Sequence, residues 1–125
     1  MPQVLVVTRY VVPEDEAAAF AAQARLALDA LRGRPGCRDA VVGRAVDDAT
    51  LWTLTTGWES VGSYRRALSS YEVKLHAVPL MYRALDEPTA FEHLLTWSAD
   101  HAERGVIENE PARSRDADSA APHDR

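Results

Sequence analysis

One cysteine and one lysine in 125 residues remove several classes of protein at once. With Cys37 alone, the chain closes no internal disulfide and holds no cysteine-rich metal site. Its neighbours Pro35, Gly36 and Arg38 put it where a strand begins, a place that suits a small half-buried hydrophobe better than a reactive thiol. Lys74 stands against thirteen arginines and the net charge is −5, so no basic stripe neutralises phosphates and no nucleic-acid partner is expected. Glycine-rich phosphate loops and nucleophile elbows are missing. The four histidines (His76, His93, His101, His123) have no ligand spacing, so no metal centre is expected. No apolar run is long enough to span a bilayer, and because Met1-Pro2-Gln3 leads directly into a strand pattern, no signal peptide is expected. A cytoplasmic protein with no membrane partner is the expectation.

What is present fits one α+β domain. Val4 to Val12 reads as a strand: Val4, Val6, Thr8, Tyr10 and Val12 share one face, and Leu5, Val7, Arg9 and Val11 the other. Both faces are largely apolar, which predicts cover on both sides. Pro13 and three acids then open a helix, with Phe20, Ala24, Ala27, Leu28 and Leu31 as its apolar stripe. Arg32 to Gly36 supplies a basic last turn, a glycine and a proline that end it. Val41–Val46 and Leu51–Trp58 are predicted to pair as a hairpin through a turn at Asp47-Asp-Ala-Thr50. A helical region from Val61 to Leu85 follows, with Ser60 as N-cap, an interruption at Ser69-Ser70 and a restart at Pro79. Its inner side is expected to carry Tyr64, Leu68, Tyr71, Leu75, Val78 and Tyr82. Thr89 to Trp97 is the fourth predicted strand, with Phe91, His93, Leu95 and Trp97 on one side.

The order is β-α-β-β-α-β, a split βαβ or ferredoxin-like unit with one antiparallel sheet and both helices on one face. Residues 1–97 form this domain in our reading. Residues 98–125, rich in acids and poor in large apolar groups after Ile107, form a polar tail that lacks the surface to offset ordering entropy. The second apolar sheet face is expected to meet another copy, giving a homodimer.

The densest chemistry lies in Thr56-Gly-Trp-Glu-Ser-Val-Gly-Ser-Tyr64 and the helix after it. A strand feeding straight into a helix is expected to place Trp58, Tyr64 and His76 around one cavity. Each also has a plain packing role, since an indole at a strand end and a tyrosine in a first helical turn are common core anchors. The topology, Pro13, the Arg34-Pro-Gly36 stop and above all Trp58-Glu-Ser60 with Tyr64 six positions on resemble the antibiotic biosynthesis monooxygenase family. The similarity covers residues 3–97.

This resemblance implies a ferredoxin-like protomer that pairs into a dimeric α+β barrel. In the family's polyketide-type monooxygenases, the counterparts of Trp58 and Tyr64 line the pocket, and Leu54 stands where those enzymes carry an asparagine. In its heme-degrading members, a histidine eighteen residues after the tryptophan is the axial ligand, and here that residue is His76. Thr8 and Ala67 occupy the places of those members' strand asparagine and distorting tryptophan.

The resemblance therefore implies a cofactor-independent oxygenase that acts on or binds a flat aromatic or quinol-type metabolite in a pocket between the sheet and the two helices, with O₂ as co-substrate. Heme bound by His76 is one alternative, and a non-catalytic ligand-binding barrel is the other. Oxygenation of that kind needs a base, a donor for the developing oxyanion and a water-excluding wall. His76 is the candidate base, because histidine titrates near neutrality. Trp58 and Tyr64 are candidate donors whose rings stack on the substrate. Thr8, Tyr10, Leu54 and Arg83 are the candidate substrate contacts, with Arg9 or Arg83 orienting an acidic substituent. His93 is read as an interface residue.

Overall fold

Strand β1, Val4–Val11, shows why one side of the sheet becomes the core. Val4, Val6, Thr8 and Tyr10 are all buried, while Leu5 and Val11 on the opposite side are exposed. That alternation is the period-2 pattern of a strand covered on one face. The structure, a computed structural model, describes residues 2–111. It divides into a unit ending at Phe91 and a second beginning at Glu92.

In the first unit a 3₁₀ turn at Glu14–Glu16 leads into α1, Ala17–Arg32. The helix buries Phe20, Ala24, Ala27 and Leu31, a stripe at spacings of four, three and four, and turns its charged residues outward. Gly36 then takes a φ of 89°, a conformation that a side chain would strain, and lets the chain turn back into β2, Cys37–Ala45. Its carbonyl accepts the backbone N–H of Glu59, and a Cβ there would lie 2.5 Å from Ser63 Oγ. One small residue therefore clips the end of α1 to the start of the next helix.

Strands β2 and β3, Asp48–Trp58, form an antiparallel hairpin with Ala45 opposite Asp48, so the turn is Val46-Asp47. The sequence reading placed it later, at Asp47–Thr50. The correction follows from Asp48, whose carboxylate accepts the Thr50 N–H at 3.0 Å and the Thr50 hydroxyl at 2.7 Å, holding those residues extended. Strand β1 pairs antiparallel with β3, setting Thr8 opposite Leu54, Tyr10 opposite Trp52 and Val4 opposite Trp58.

Ser60 caps α2, Val61–Leu68, by accepting the Ser63 N–H at 3.1 Å, as its sequence position suggested. The helical region then breaks at Ser69-Ser70 and continues as α3, Tyr71–His76, and α4, Val78–Met81, with Pro79 in the first turn of α4. Ser70 restarts the winding by capping α3. This restart resets the helical phase, so the inner face differs from the expected one. Val73, Ala77 and Leu80 are buried, whereas Tyr71, Leu75 and Tyr82 are exposed.

The sheet order is β2-β3-β1-β4, where β4 is Ala90–Glu92. This is the ferredoxin-like arrangement: β1 and β2 lie either side of β3, and the final strand joins the other edge of β1. The long fourth strand expected over 89–97 is cut short at Glu92. In the second unit, β5 (Leu95–Thr96) pairs instead with β6 (Ile107–Glu108) across a 3₁₀ segment at Ala99–Arg104. Asn109 closes this ribbon by bonding the carbonyls of Leu94 and His93. The rest of the predicted tail, 112–125, lies outside the described residues. No helix among the described residues is long and apolar enough to cross a membrane.

Candidate functional site

Where α3 gives way to α4, residues of both face α1 across a cleft of about 350 Å³. No strand residue lines it, so it lies between helices and is not the expected pocket between the sheet and the helices. Leu80 forms its floor, the exposed Leu26, Leu75 and Pro79 its walls, and Gln23, His76 and Arg83 its polar margin. Leu80 belongs to the buried core, so the cleft rests directly on the interior.

Arg83 is held there by α1. Its Nη1 donates to Gln23 Oε1 at 2.9 Å, and its guanidinium carbon lies 5.5 Å from the centre of the Phe20 ring. The His76 side chain is 34% exposed, with Nε2 3.6 Å from a Glu72 carboxylate oxygen one turn earlier. The candidate base and the candidate anion contact therefore share one cleft.

Trp58 and Tyr64 do not share it. Trp58 is fully buried, and its indole N–H donates to Thr56 Oγ1 at 2.8 Å. Tyr64 is 8% exposed and packs on Trp58 with ring centres 5.6 Å apart. The expectation of indole, phenol and imidazole around one cavity is thus corrected: the first two are interior, the third is on the cleft. The reason is the same restart at Ser70, which turns α3 so that Val73 rather than His76 faces inward.

The interior holds a short polar lane. Thr8 Oγ1 donates to the Leu54 carbonyl at 3.2 Å, which leaves it to accept the Tyr10 hydroxyl at 2.8 Å. Burial raises the Tyr10 pKa, partly offset by the Thr8 hydrogen bond and the Arg83 charge. Burial, reinforced by the neighbouring Tyr10, pushes Tyr64 up to about 12. Both phenols stay protonated near neutrality and act as donors, not bases. Tyr10 also meets Phe20 at 5.1 Å, and Phe20 meets Trp52 edge-on at 5.2 Å.

A second cleft of about 340 Å³ borders the last residue of α4 and the segment after it. Met81, Tyr82, Ala84 and Leu85 border it together with Thr8, Thr89 and the acids Asp86 and Glu87. Arg9 clasps Glu87 with two bonds, at 2.8 and 3.2 Å, and so belongs to this edge of the sheet and not to the first cleft. The proposed substrate contacts are therefore distributed: Arg83 on the first cleft, Thr8 on the second, Tyr10 and Leu54 inside. Sequence reasoning missed Gln23 and Leu26. Their signal was available, since Leu26 is a leucine off the apolar stripe of α1 and Gln23 is the neutral polar residue among alanines.

The sequence matches the family model described as antibiotic biosynthesis monooxygenase over residues 3–77. No curated protein matches it. Among solved structures, a conserved protein from Methanosarcina mazei Go1 is 21% identical, with a TM-score of 0.61 over 74% of this chain and 92% of that one. The Rv0793 protein of Mycobacterium tuberculosis is 17% identical, with a TM-score of 0.59 over 78% and 98%. A protein from Deinococcus radiodurans, named provisionally as an antibiotic biosynthesis monooxygenase, is 18% identical, with a TM-score of 0.60 over 72% and 91%. At these identities the structures establish a shared fold. With the sequence model matching more than half of its length, the chain belongs to the antibiotic biosynthesis monooxygenase family.

Proposed function

We propose that the protein is a cofactor-independent monooxygenase acting on a flat aromatic, quinol- or anthrone-type metabolite bound in the cleft between α1 and α3–α4. The observation that carries this reading is the convergence of His76 and Arg83 on one cleft with apolar floor and walls. A pocket of that size, mostly apolar with a few polar groups, suits a small aromatic molecule.

His76 takes a proton from the activated CH₂ of the substrate, and Arg83 balances the resulting anion. The carbanion passes one electron to O₂, and the radical and superoxide combine into a peroxide anion, which recovers the proton from His76. Loss of water leaves C=O where CH₂ stood. One oxygen atom enters the product and the other departs as water, so O₂ supplies all the oxidising equivalents. Trp58, Tyr64, Tyr10 and Thr8 act behind the cleft, keeping its floor rigid and dry. The active form in this reading is a homodimer through the sheet face that exposes Leu5, Val11 and Val41; light scattering should give twice the chain mass, and a monomer at micromolar concentration would refute it.

Oxygen uptake with an anthrone tests the activity. Wild type should turn over repeatedly, and His76→Ala should lose about 10²-fold or more in rate. Saturable binding without uptake would make this a binding protein instead. A second reading, heme with His76 as axial ligand, is favoured by the exposed imidazole beside Leu26, Leu75 and Pro79. In that case Arg83 would pair with a propionate and the iron would supply the redox chemistry. A hemin titration decides it: a saturable Soret band lost in His76→Ala supports heme, and its absence ends that reading.

A further inference from the structure

The charge of the first cleft is built, not incidental. Phe20 and Gln23 lie one turn apart on α1, and both engage the same guanidinium, one through its face and the other through a hydrogen bond at 2.9 Å. A free arginine would sample many rotamers in water; this one is fixed at two points and lies along the cleft margin. Of the residues lining the cleft, only His76 and Arg83 are ionisable, and none is acidic. In a chain with a net charge of −5, Arg83 thus brings a positive charge to a cleft whose lining holds no carboxylate, with Glu72 standing outside the lining 3.6 Å from His76.

We infer that this cleft selects aromatic ligands carrying an anionic substituent, a carboxylate or sulfonate, and that Gln23 is the positioning residue that aims Arg83 at it. Gln23 accepts from one N–H of the guanidinium and carries no charge of its own, so it orients Arg83 without neutralising it. The remaining N–H groups are left to offer an anionic ligand a planar fork, the geometry that matches an oxyanion. The Phe20 ring supports the guanidinium, with its centre 5.5 Å from the guanidinium carbon. This inference rests on the cleft being the ligand site, as proposed above, and adds the class of ligand it accepts.

The test uses two dyes of similar shape, the anionic 1-anilinonaphthalene-8-sulfonate and the neutral N-phenyl-1-naphthylamine, titrated by fluorescence into the full chain. Arg83→Ala should weaken the sulfonate about tenfold while changing the neutral dye less than about twofold. Gln23→Met keeps the side-chain length and removes the acceptor; it should weaken only the sulfonate, by about threefold. Gln23→Glu keeps the acceptor but cancels the charge, and should weaken the sulfonate as much as Arg83→Ala. A merely structural role for Gln23 would shift both dyes together, and equal effects on the two dyes would overturn the inference. Leu75→Asp, which puts a carboxylate on the cleft wall, separates the two levels of the argument. Both dyes should be lost. If both still bind Leu75→Asp normally, the cleft is not the ligand site, and the inference falls with the reading beneath it. If Leu75→Asp abolishes binding but the arginine and glutamine variants do not discriminate, only the inference falls.

Discussion

Replacing Thr56 by valine tests whether Trp58 serves the fold or the reaction. The two shapes are nearly equal, so Thr56→Val leaves packing unchanged and deletes one thing, the acceptor 2.8 Å from the indole N–H. Trp58 is fully buried and Thr56 is 2% exposed, so no water can take over the bond. A buried donor left unpaired costs about 1–3 kcal/mol. For a domain of this size that corresponds to a loss of roughly 4–12 °C in Tm, read by thermal or urea unfolding. The double variant Thr56→Val with Trp58→Phe removes both partners. It should show a favourable coupling of about 1 kcal/mol relative to the sum of the single changes, once the smaller ring is accounted for by Trp58→Phe alone. Oxygen uptake is then measured at a temperature where the variants stay folded. Reduced stability with unchanged turnover would make Trp58 a structural residue. If Thr56→Val is neutral to within about 0.3 kcal/mol, the indole does not depend on this bond and the reasoning fails.

Three further outcomes follow from the geometry. Tyr64, with its phenol raised to about 12, should resist ionisation in an ultraviolet pH titration until well above pH 10. Because its pKa is higher folded than unfolded, the stability it contributes is intact below about pH 10 and is lost as the pH climbs towards 12. Tyr64→Phe should flatten that alkaline loss; an unchanged profile would refute the assignment. Gly36→Ala should lower stability by about 1–3 kcal/mol, since its φ is 89° and its Cβ would strike Ser63. Adding Ser63→Gly should recover part of the loss by removing the clash, and no recovery would place the cost wholly in the backbone. Glu87→Gln should weaken the clasp on Arg9 and increase amide exchange at Leu85, whose N–H bonds the Arg9 carbonyl; unchanged exchange would show that the backbone alone holds this segment.

Much of this architecture was readable from residue patterns because the signals were periodic and local. The β1 alternation, the α1 stripe, the Ser60 cap and the glycine stop each follow from steric or hydrogen-bonding rules that act within a few residues. The inner face of α3 and α4 was not readable in that way. Its phase depends on how Ser70 restarts the helix, which makes Val73 the core residue in place of Leu75 two positions on. The fourth strand failed for a different reason: Phe91 to Trp97 alternates well, yet β5 finds its partner in β6, a pairing that periodicity does not encode. In the candidate site, His76 and Arg83 were singled out by residue type, and the structure sets both on the first cleft. Gln23 was missed because its importance comes from a hydrogen bond between residues sixty positions apart.

The helix α4 has four residues, and two that adjoin in it line different clefts, Leu80 the first and Met81 the second. Leu80 is part of the buried core and Met81 packs against it, so neither side chain can change for the sake of its cleft alone. A substitution that reshapes either hollow also disturbs the close-packed interior, and its effect on binding is read beside its effect on unfolding.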